Sequence, residues 1–350
     1  MFIKDTIAIS PQNTYNNDIF SSTIKQLYGN KFLAIEPEYT GIIKPNQLRR
    51  MGRSLRMGIG CALPLLRNYC NVDGIIIGSS EGGLEDCIKF LNQIKDYEEG
   101  MLTPTNFVQS TPNALAGQLA LLTSNNSYNT THVHKGLAFE NALIDAKILL
   151  LENKVKRLLV GGVEEISNYN FNIEKSAGQF KDKECSSSQL IYSNTKGTVC
   201  GEGSTMFILE SLTGNNNIKI NDIQTITFPT EEELHNTAIN ILKRNNLKID
   251  HIDILIFGMN GDIRSDYFYY RMMEQLFVNQ SVLMYKNLVG EYPTSSAFAL
   301  YLAYNILLKQ YVPKDIIFRQ EAKLKYNNIL IYNHYKGIQH SFILVTKENC

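Results

Sequence analysis

The chain has 350 residues, 44% of them hydrophobic, enough to bury a large core as one big α/β domain or as two fused halves. Lysine plus arginine and aspartate plus glutamate number 34 each, so the formal net charge is zero at pH 7. That balance argues against a basic surface for nucleic acid or for an anionic membrane.

The amino terminus, MFIKDTIAISPQ, lacks the long apolar run of a secretory signal, and AFALYLAYNILL is too short to span a bilayer. The expectation is a soluble, cytoplasmic protein. Six cysteines (Cys61, Cys70, Cys87, Cys185, Cys200 and Cys350) are scattered without CxxC spacing. Reduced, mostly buried thiols fit that pattern better than a disulfide framework or a metal site, and no cofactor is implied.

VDGIIIGSS, residues 72–80, reads as a strand buried on both faces. STPNALAGQLALL then starts a helix, with Ser110 or Thr111 placed to cap it and Pro112 near its first turn. YNTTHV is strand-like, GLAFENALIDAKILLLEN is helix-like, and KRLLVGGVEE and GEGSTMFILES are buried strands. After NDIQTITFP a second series begins: strand IDILIFGMNG, helix SDYFYYRMMEQLF, strand VLMYKN, helix SSAFALYLAYNILLKQ, and the closing strands NILIYNHY and HSFILVT. Glu231, Glu232 and Glu233 read as a solvated first helical turn that complements the helix dipole. Two consecutive βαβαβ-type series predict a duplicated α/β architecture with helices covering mixed sheets, divided into residues 1–215 and a shortened second half, 216–350.

LRRMGRSLRMGIGCALPLL, IIIGSSEGGLEDCIKF, LTPTNFVQSTPNALAGQLAL, LLVGGVEE and GEGSTMFILES, in that order, together resemble the β-ketoacyl synthases of the thiolase fold. LRRMGRSLRMGIGCALPLL resembles the family's early Arg- and Met-rich helix, and IIIGSSEGGLEDCIKF its first strand and helix. LTPTNFVQSTPNALAGQLAL resembles a Pro-Phe segment followed by an Asn-x-x-Ala-Gly helix, while LLVGGVEE and GEGSTMFILES resemble the Gly-Gly-x-Glu and Gly-Glu-Gly motifs. Short glycine motifs are weak singly; their order and spacing carry the likeness. The resemblance implies duplicated βαβαβαββ halves stacked in a five-layered αβαβα architecture.

It also implies three catalytic groups: a cysteine at a helix amino terminus, whose thiolate the helix dipole favours, and two histidines that assist decarboxylation and stabilise an enolate. Counted back from Gly161 and Gly162 without gaps, the cysteine position falls on Gly136, where a sharp strand-to-helix turn is the structural reading. A shift of a residue or two offers Lys135, Leu137 or Ala138, and still no thiol. The first histidine position falls near Asn260 in GMNGDIRSD; the second falls on Glu291 in KNLVGEYPTSS, which retains Lys286 and Gly290. The closing glycine-rich turn is altered to NHYKGIQH.

Other candidates read more simply as structural. His132 and His134 alternate on a strand that, by the resemblance, pairs across a dimer axis together with Thr130 and Thr131. His334 and His340 flank the altered turn, and Cys87 and Cys200 read as inert core thiols. Glu164 and Glu165 resemble a structural glutamate of the family rather than a metal pair.

A scaffold with its catalysts lost resembles the chain length factor, the noncatalytic partner of a ketosynthase, and HVHKGLAFENALIDA resembles the subgroup of aryl polyene and flexirubin-type pathways. The resemblance implies a heterodimer with a catalytic ketosynthase, an acyl carrier protein as second partner, and a tunnel near Asn106 and Phe107 in TPTNF. An exposed edge strand YNTTHV would need such a partner, across an interface above about 2,000 Å². Two alternatives stay open: an acyltransferase, thioesterase or decarboxylase rebuilt around His132 or His134 with Thr130 or Thr131, or a scaffold that only holds the carrier protein.

Overall fold

The structure, a computed structural model, describes residues 1–350 except 17, 22, 213–215, 321, 322, 324, 349 and 350. Cys350 therefore lies outside the described residues, as does residue 215 at the expected division between halves.

Eleven strands form the main sheet among the described residues: β1 (Phe2–Ile9), β2 (Gly74–Ser79), β3 (Tyr128–Val133), β4 (Arg157–Glu164), β5 (Gly203–Glu210), β6 (Ile218–Thr227), β7 (Ile254–Phe257), β8 (Ser281–Met284), β9 (Ile317–Arg319), β10 (Asn328–Tyr335) and β11 (Gln339–Lys347). The first half runs β1-β5-β4-β2-β3, and the second repeats it as β6-β11-β10-β7-β8. In each half the first two pairings are antiparallel and the next two parallel. The duplication is thus one of topology, strand for strand. The two halves meet where β1 pairs with β6, Phe2 opposite Lys219.

The edges differ. In the second half β9 adds antiparallel to the outside of β8. In the first half β3 is terminal, and no described strand lies beyond it. Tyr128 and Val133 on this edge are 43% and 44% exposed.

Ten of the helices bear on the site: α1 (Arg53–Asn68), α2 (Leu84–Asp96), α3 (Pro104–Gln109), α4 (Ala114–Thr123), α5 (Ala138–Leu151), α6 (Asn168–Ser176), α7 (Glu231–Arg244), α8 (Tyr267–Gln275), α9 (Lys286–Val289) and α10 (Ser296–Lys309). Strands without polar alternation need cover on both faces, and the helices supply it in layers. One core joins Leu143 and Leu150 of α5 to Phe298 and Ile306 of α10 and to strands of both halves, such as Val160 and Ile331. Every residue from Ser296 to Leu307 is buried, as an all-round apolar helix in a central layer must be. A second core packs α1 and α4 on the first half, and a third packs α7 and α8 on the second. The triple isoleucine of β2 serves two layers at once: Ile75 and Ile77 face α1 and α4, and Ile76 faces the middle. The result is the αβαβα stack.

The α4 cap departs from expectation. Pro104 starts the extra short helix α3, and Ser110 ends it. The Ser110 hydroxyl donates back to Phe107 O at 2.7 Å and the Thr111 hydroxyl to Val108 O at 2.9 Å, so neither is free to cap α4, whose N-cap is Asn113. At α7 the acidic run does form the first turn. Thr230 Oγ1 accepts from Glu233 N at 3.2 Å while the Glu233 carboxylate accepts from Thr230 N at 2.8 Å, a capping box.

Candidate functional site

The principal cleft opens beyond the carboxyl ends of the parallel strands, where loops after β2, β4, β7 and β8 converge with the β10–β11 hairpin. Its walls include Ser80, Glu164, Asn260, Glu291 and Tyr335. Glu202, of the Gly-Glu-Gly motif, braces the surrounding loops. Wholly buried, it accepts from Ala34 N at 2.8 Å and Ile166 N at 2.9 Å, and Arg53 Nη2 lies 2.6 Å away. Close backbone approach explains two further motif glycines: a Cβ on Gly201 would lie 2.9 Å from Gly290 Cα.

At one side of the cleft β3 ends and the chain turns into α5. Lys135 sits in the left-handed region, with φ 50°, and its ammonium pairs with Glu81. Gly136 follows, buried. A Cβ there would lie 2.6 Å from Tyr335 Cγ and closer still to Tyr335 Cβ. The Gly136 N–H donates to Gln339 Oε1 at 2.9 Å. The helix start therefore has no nucleophile, no room for one, and an amide already in use.

Across the cleft, Asn260, Lys286 and Glu291 meet. Glu291 Oε2 accepts from Asn260 Nδ2 at 2.5 Å and from Lys286 Nζ at 2.7 Å, and Lys286 is wholly buried. Glu291 is positioned by its backbone, which donates to Val199 O at 2.8 Å and accepts from Gly201 N at 2.9 Å. Asp266 accepts from Asn260 N at 3.1 Å and Gly261 N at 2.7 Å, and burial pushes its carboxyl up to about 7. Burial likewise pushes Glu164 up to about 8, although it accepts from Ser80 N, and Glu165 up to about 7, although it accepts from Ser54 N at 2.9 Å.

The imidazoles of His334 and His340 are held in hydrogen bonds, and Cys200, which lines the cleft, is a buried thiol. His334 Nε2 donates to Ser265 O at 3.0 Å and its Nδ1 accepts from Gly337 N at 3.3 Å; burial holds this imidazole well below its ordinary range. His340 Nδ1 lies 3.0 Å from the Tyr332 hydroxyl, and burial lowers its value to about 4. Burial raises the Cys61 thiol to about 12 and the Cys200 thiol further, with Glu202 and Glu291 adding to the effect on Cys200. Neither is a thiolate near neutrality.

On the open edge His132 Nε2 lies 2.9 Å from Asp145 Oδ2, which also accepts from the Tyr128 hydroxyl at 2.9 Å. Thr131 Oγ1 points to the opposite face and donates to Asn113 Oδ1 at 2.7 Å. Thr130 shares the half-buried strand, and His134 is exposed at its end. Asn106 and Phe107 sit on α3, lining neither the cleft nor the small cavity beside Gln109 and Leu115; Phe107 is 56% exposed, its ring 5.3 Å from that of Phe90. Among the described residues no group of three or more His, Cys, Asp or Glu is arranged to hold a metal ion, and no helix is long and apolar enough to cross a membrane.

Residues 30–179 match the family model described as the β-ketoacyl synthase N-terminal domain. The chain has the β-ketoacyl synthase fold. No curated protein sequence matches it. Among solved structures, the ishigamide ketosynthase/chain length factor superposes with a TM-score of 0.79 at 13% identity, covering 99% of both chains. The ketosynthase ApeO in complex with its chain length factor ApeC, from Xenorhabdus doucetiae, gives 0.77 at 15% identity, covering 99% of this chain and 98% of that one. The complex of AntDE with AntF, a type II PKS acyl carrier protein with its ketosynthase bound to the hexaketide, gives 0.78 at 12% identity, with 99% of both chains covered. At such identities the likeness to a β-ketoacyl synthase is one of fold. Tyr335 and Glu81 line the cleft and Gln339 reaches Gly136 from beside it, and no local sequence signal singles out any of the three. A Lys-Gly turn between two apolar runs signals a hairpin tip but not where that tip lands.

Proposed function

We propose that this chain is a noncatalytic, chain length factor-like partner of a β-ketoacyl synthase, completing a heterodimer and shaping the tunnel for a growing acyl or polyene chain. The observation that carries the reading is the cleft itself. Where the resemblance asks for a thiol and two imidazoles there are a glycine backed by Tyr335, an amide and a carboxylate, and the remaining cation, Lys286, is paired with that carboxylate at 2.7 Å. Glu291 places an anion where a malonyl carboxylate would have to approach, and like charges disfavour such binding.

Support for a partner comes from the outer edge of strand β3, which no described strand covers, and from the exposed apolar residues Phe107, Val108 and Met101. The solved ketosynthase and chain length factor complexes of the same fold support a heterodimer, and the AntDE:AntF complex supports an acyl carrier protein as a second partner. Under this reading the protein works in the cytoplasm, in type II polyketide or aryl polyene synthesis, and Asn106 and Phe107 border the tunnel at the subunit interface.

Coexpression with a ketosynthase encoded beside it tests the proposal. A stable 1:1 complex that extends malonyl thioesters, with the isolated chain inert, is the expected result. Turnover by the isolated chain refutes it. Replacing Phe107 by Ala or Trp is expected to alter product length; carrier-protein binding with unchanged product length would reduce the role to a scaffold.

A further inference from the structure

Between β10 and β11 the chain reverses through Lys336 (φ 56°) and Gly337 (φ 65°), with Ile338 N donating to Tyr335 O at 3.0 Å. Positive φ at both central positions makes a type I′-like turn, and Ile338 sits between it and Gln339, the cross-strand partner of Tyr335. The tip is fixed from three directions. Lys336 Nζ pairs with Glu174 of α6 at 2.7 Å, Phe228 N donates to Ile338 O at 2.8 Å, and Gly337 N donates to His334 Nδ1 at 3.3 Å.

The residues that flank this tip, Tyr335 and Gln339, are direct cross-strand partners. Both act on Gly136. Tyr335 Cβ and Cγ occupy the space that any side chain at Gly136 would need, and Gln339 Oε1 takes its N–H at 2.9 Å. We infer that the Tyr335–Gln339 pair is a built plug at the turn leading into α5: the nucleophile position is closed by packing and its backbone donor is already engaged, so restoring a reactive side chain there requires removing the plug as well. The glycine and the tyrosine are one unit, each the condition for the other. Because the clash reaches Tyr335 Cβ, Tyr335→Ala leaves it in place and only Tyr335→Gly removes it.

A double-mutant cycle tests this, on the chain alone or with its partner provided all variants are compared in one assembly. Gly136→Ala in the otherwise native chain is expected to lower the melting temperature by several degrees or to prevent folding. In the Tyr335→Gly background the same substitution is expected to cost nothing further, whereas the Tyr335→Ala background keeps most of the loss. Equal losses in all backgrounds, or no loss in any, overturn the plug. A second measurement applies even where Tyr335→Gly itself does not fold. In Gln339→Ala the Gly136 amide is expected to exchange its hydrogen at least tenfold faster while the α5 interior is unchanged; an unaltered rate overturns the role of Gln339. None of these readouts requires turnover or product, so failure here is separable from failure of the partner role.

Discussion

Lys286 and Glu291 meet at 2.7 Å in the floor of the cleft, the lysine wholly buried and the carboxylate side chain 11% exposed. An ion pair withdrawn from water is stabilising only while both partners are present. Glu291→Leu is therefore expected to cost about 3–5 kcal/mol by leaving an uncompensated ammonium, and the Lys286→Met, Glu291→Leu double variant to recover most of it. Urea denaturation of the three proteins measures this. A double variant less stable than Glu291→Leu alone would show that Lys286 is held by something other than the pair.

Glu164 sets a pH dependence. Burial lifts its carboxyl from 4.5 to about 8, so the folded chain binds the proton more tightly than the unfolded chain. The associated stability is complete below the unfolded value and is lost as pH rises toward the folded one. Glu165 and Asp266, each raised to about 7, act in the same direction over a shorter window. Glu164→Gln keeps an oxygen for the Ser80 N–H but carries no charge. It is expected to be more stable than the parent at about pH 8, by on the order of 1 kcal/mol or more, and to differ little near pH 5. Thermal melts at the two pH values decide it; parallel curves for both proteins would contradict the assignment.

Much of the fold was legible because buried parallel strands carry little polar residue to confuse them. Ile75, Ile76 and Ile77 announce such a strand, and the fully buried run of α10 announces a helix between layers. FIKDTIAI, which pairs with β5 and joins the halves, does not announce itself as a strand. Lys4, Asp5 and Thr6 interrupt its apolar pattern, and Thr6 is buried because its hydroxyl donates to Met206 O of β5 at 2.9 Å, a contact only the assembled sheet supplies. The α4 cap is not legible locally, because Thr103-Pro104 and Thr111-Pro112 are equivalent signals and the chain uses the first for an additional helix. Asn260 and Glu291 could each be placed by spacing from a motif, but their hydrogen bond could not. The contact of Tyr335 with Gly136 joins strand β10 of one half to the turn after β3 of the other, which no local periodicity encodes.

Lys135 adopts φ 50° at the turn into α5, a conformation that costs an L-residue roughly 1–2 kcal/mol. Glycine enters that region freely but loses more chain entropy on folding, so Lys135→Gly is expected to gain about 0.5–1 kcal/mol net. The sacrificed pair with Glu81 subtracts little, because the Lys135 side chain is 53% exposed. A rise of a few degrees in melting temperature is the expected reading. A fall would mean that the ion pair, rather than the backbone, governs this turn.

The unequal sheet edges make the last prediction. β9 covers β8 in the second half, while β3 keeps unpaired backbone groups on its outer side and half-exposed apolar residues at its ends. A charge on such an edge opposes strand pairing without touching the core. Val133→Asp places a carboxylate at a position 44% exposed, so the isolated fold should keep its melting temperature while association with a ketosynthase partner weakens at least tenfold, about 1.4 kcal/mol. Val278→Asp, 56% exposed beyond α8 in the other half, serves as the control and should leave association unchanged. Titration of the partner against both variants reads the difference. Equal binding by the two would mean that the partner docks on some other surface and that β3 stays free in the complex.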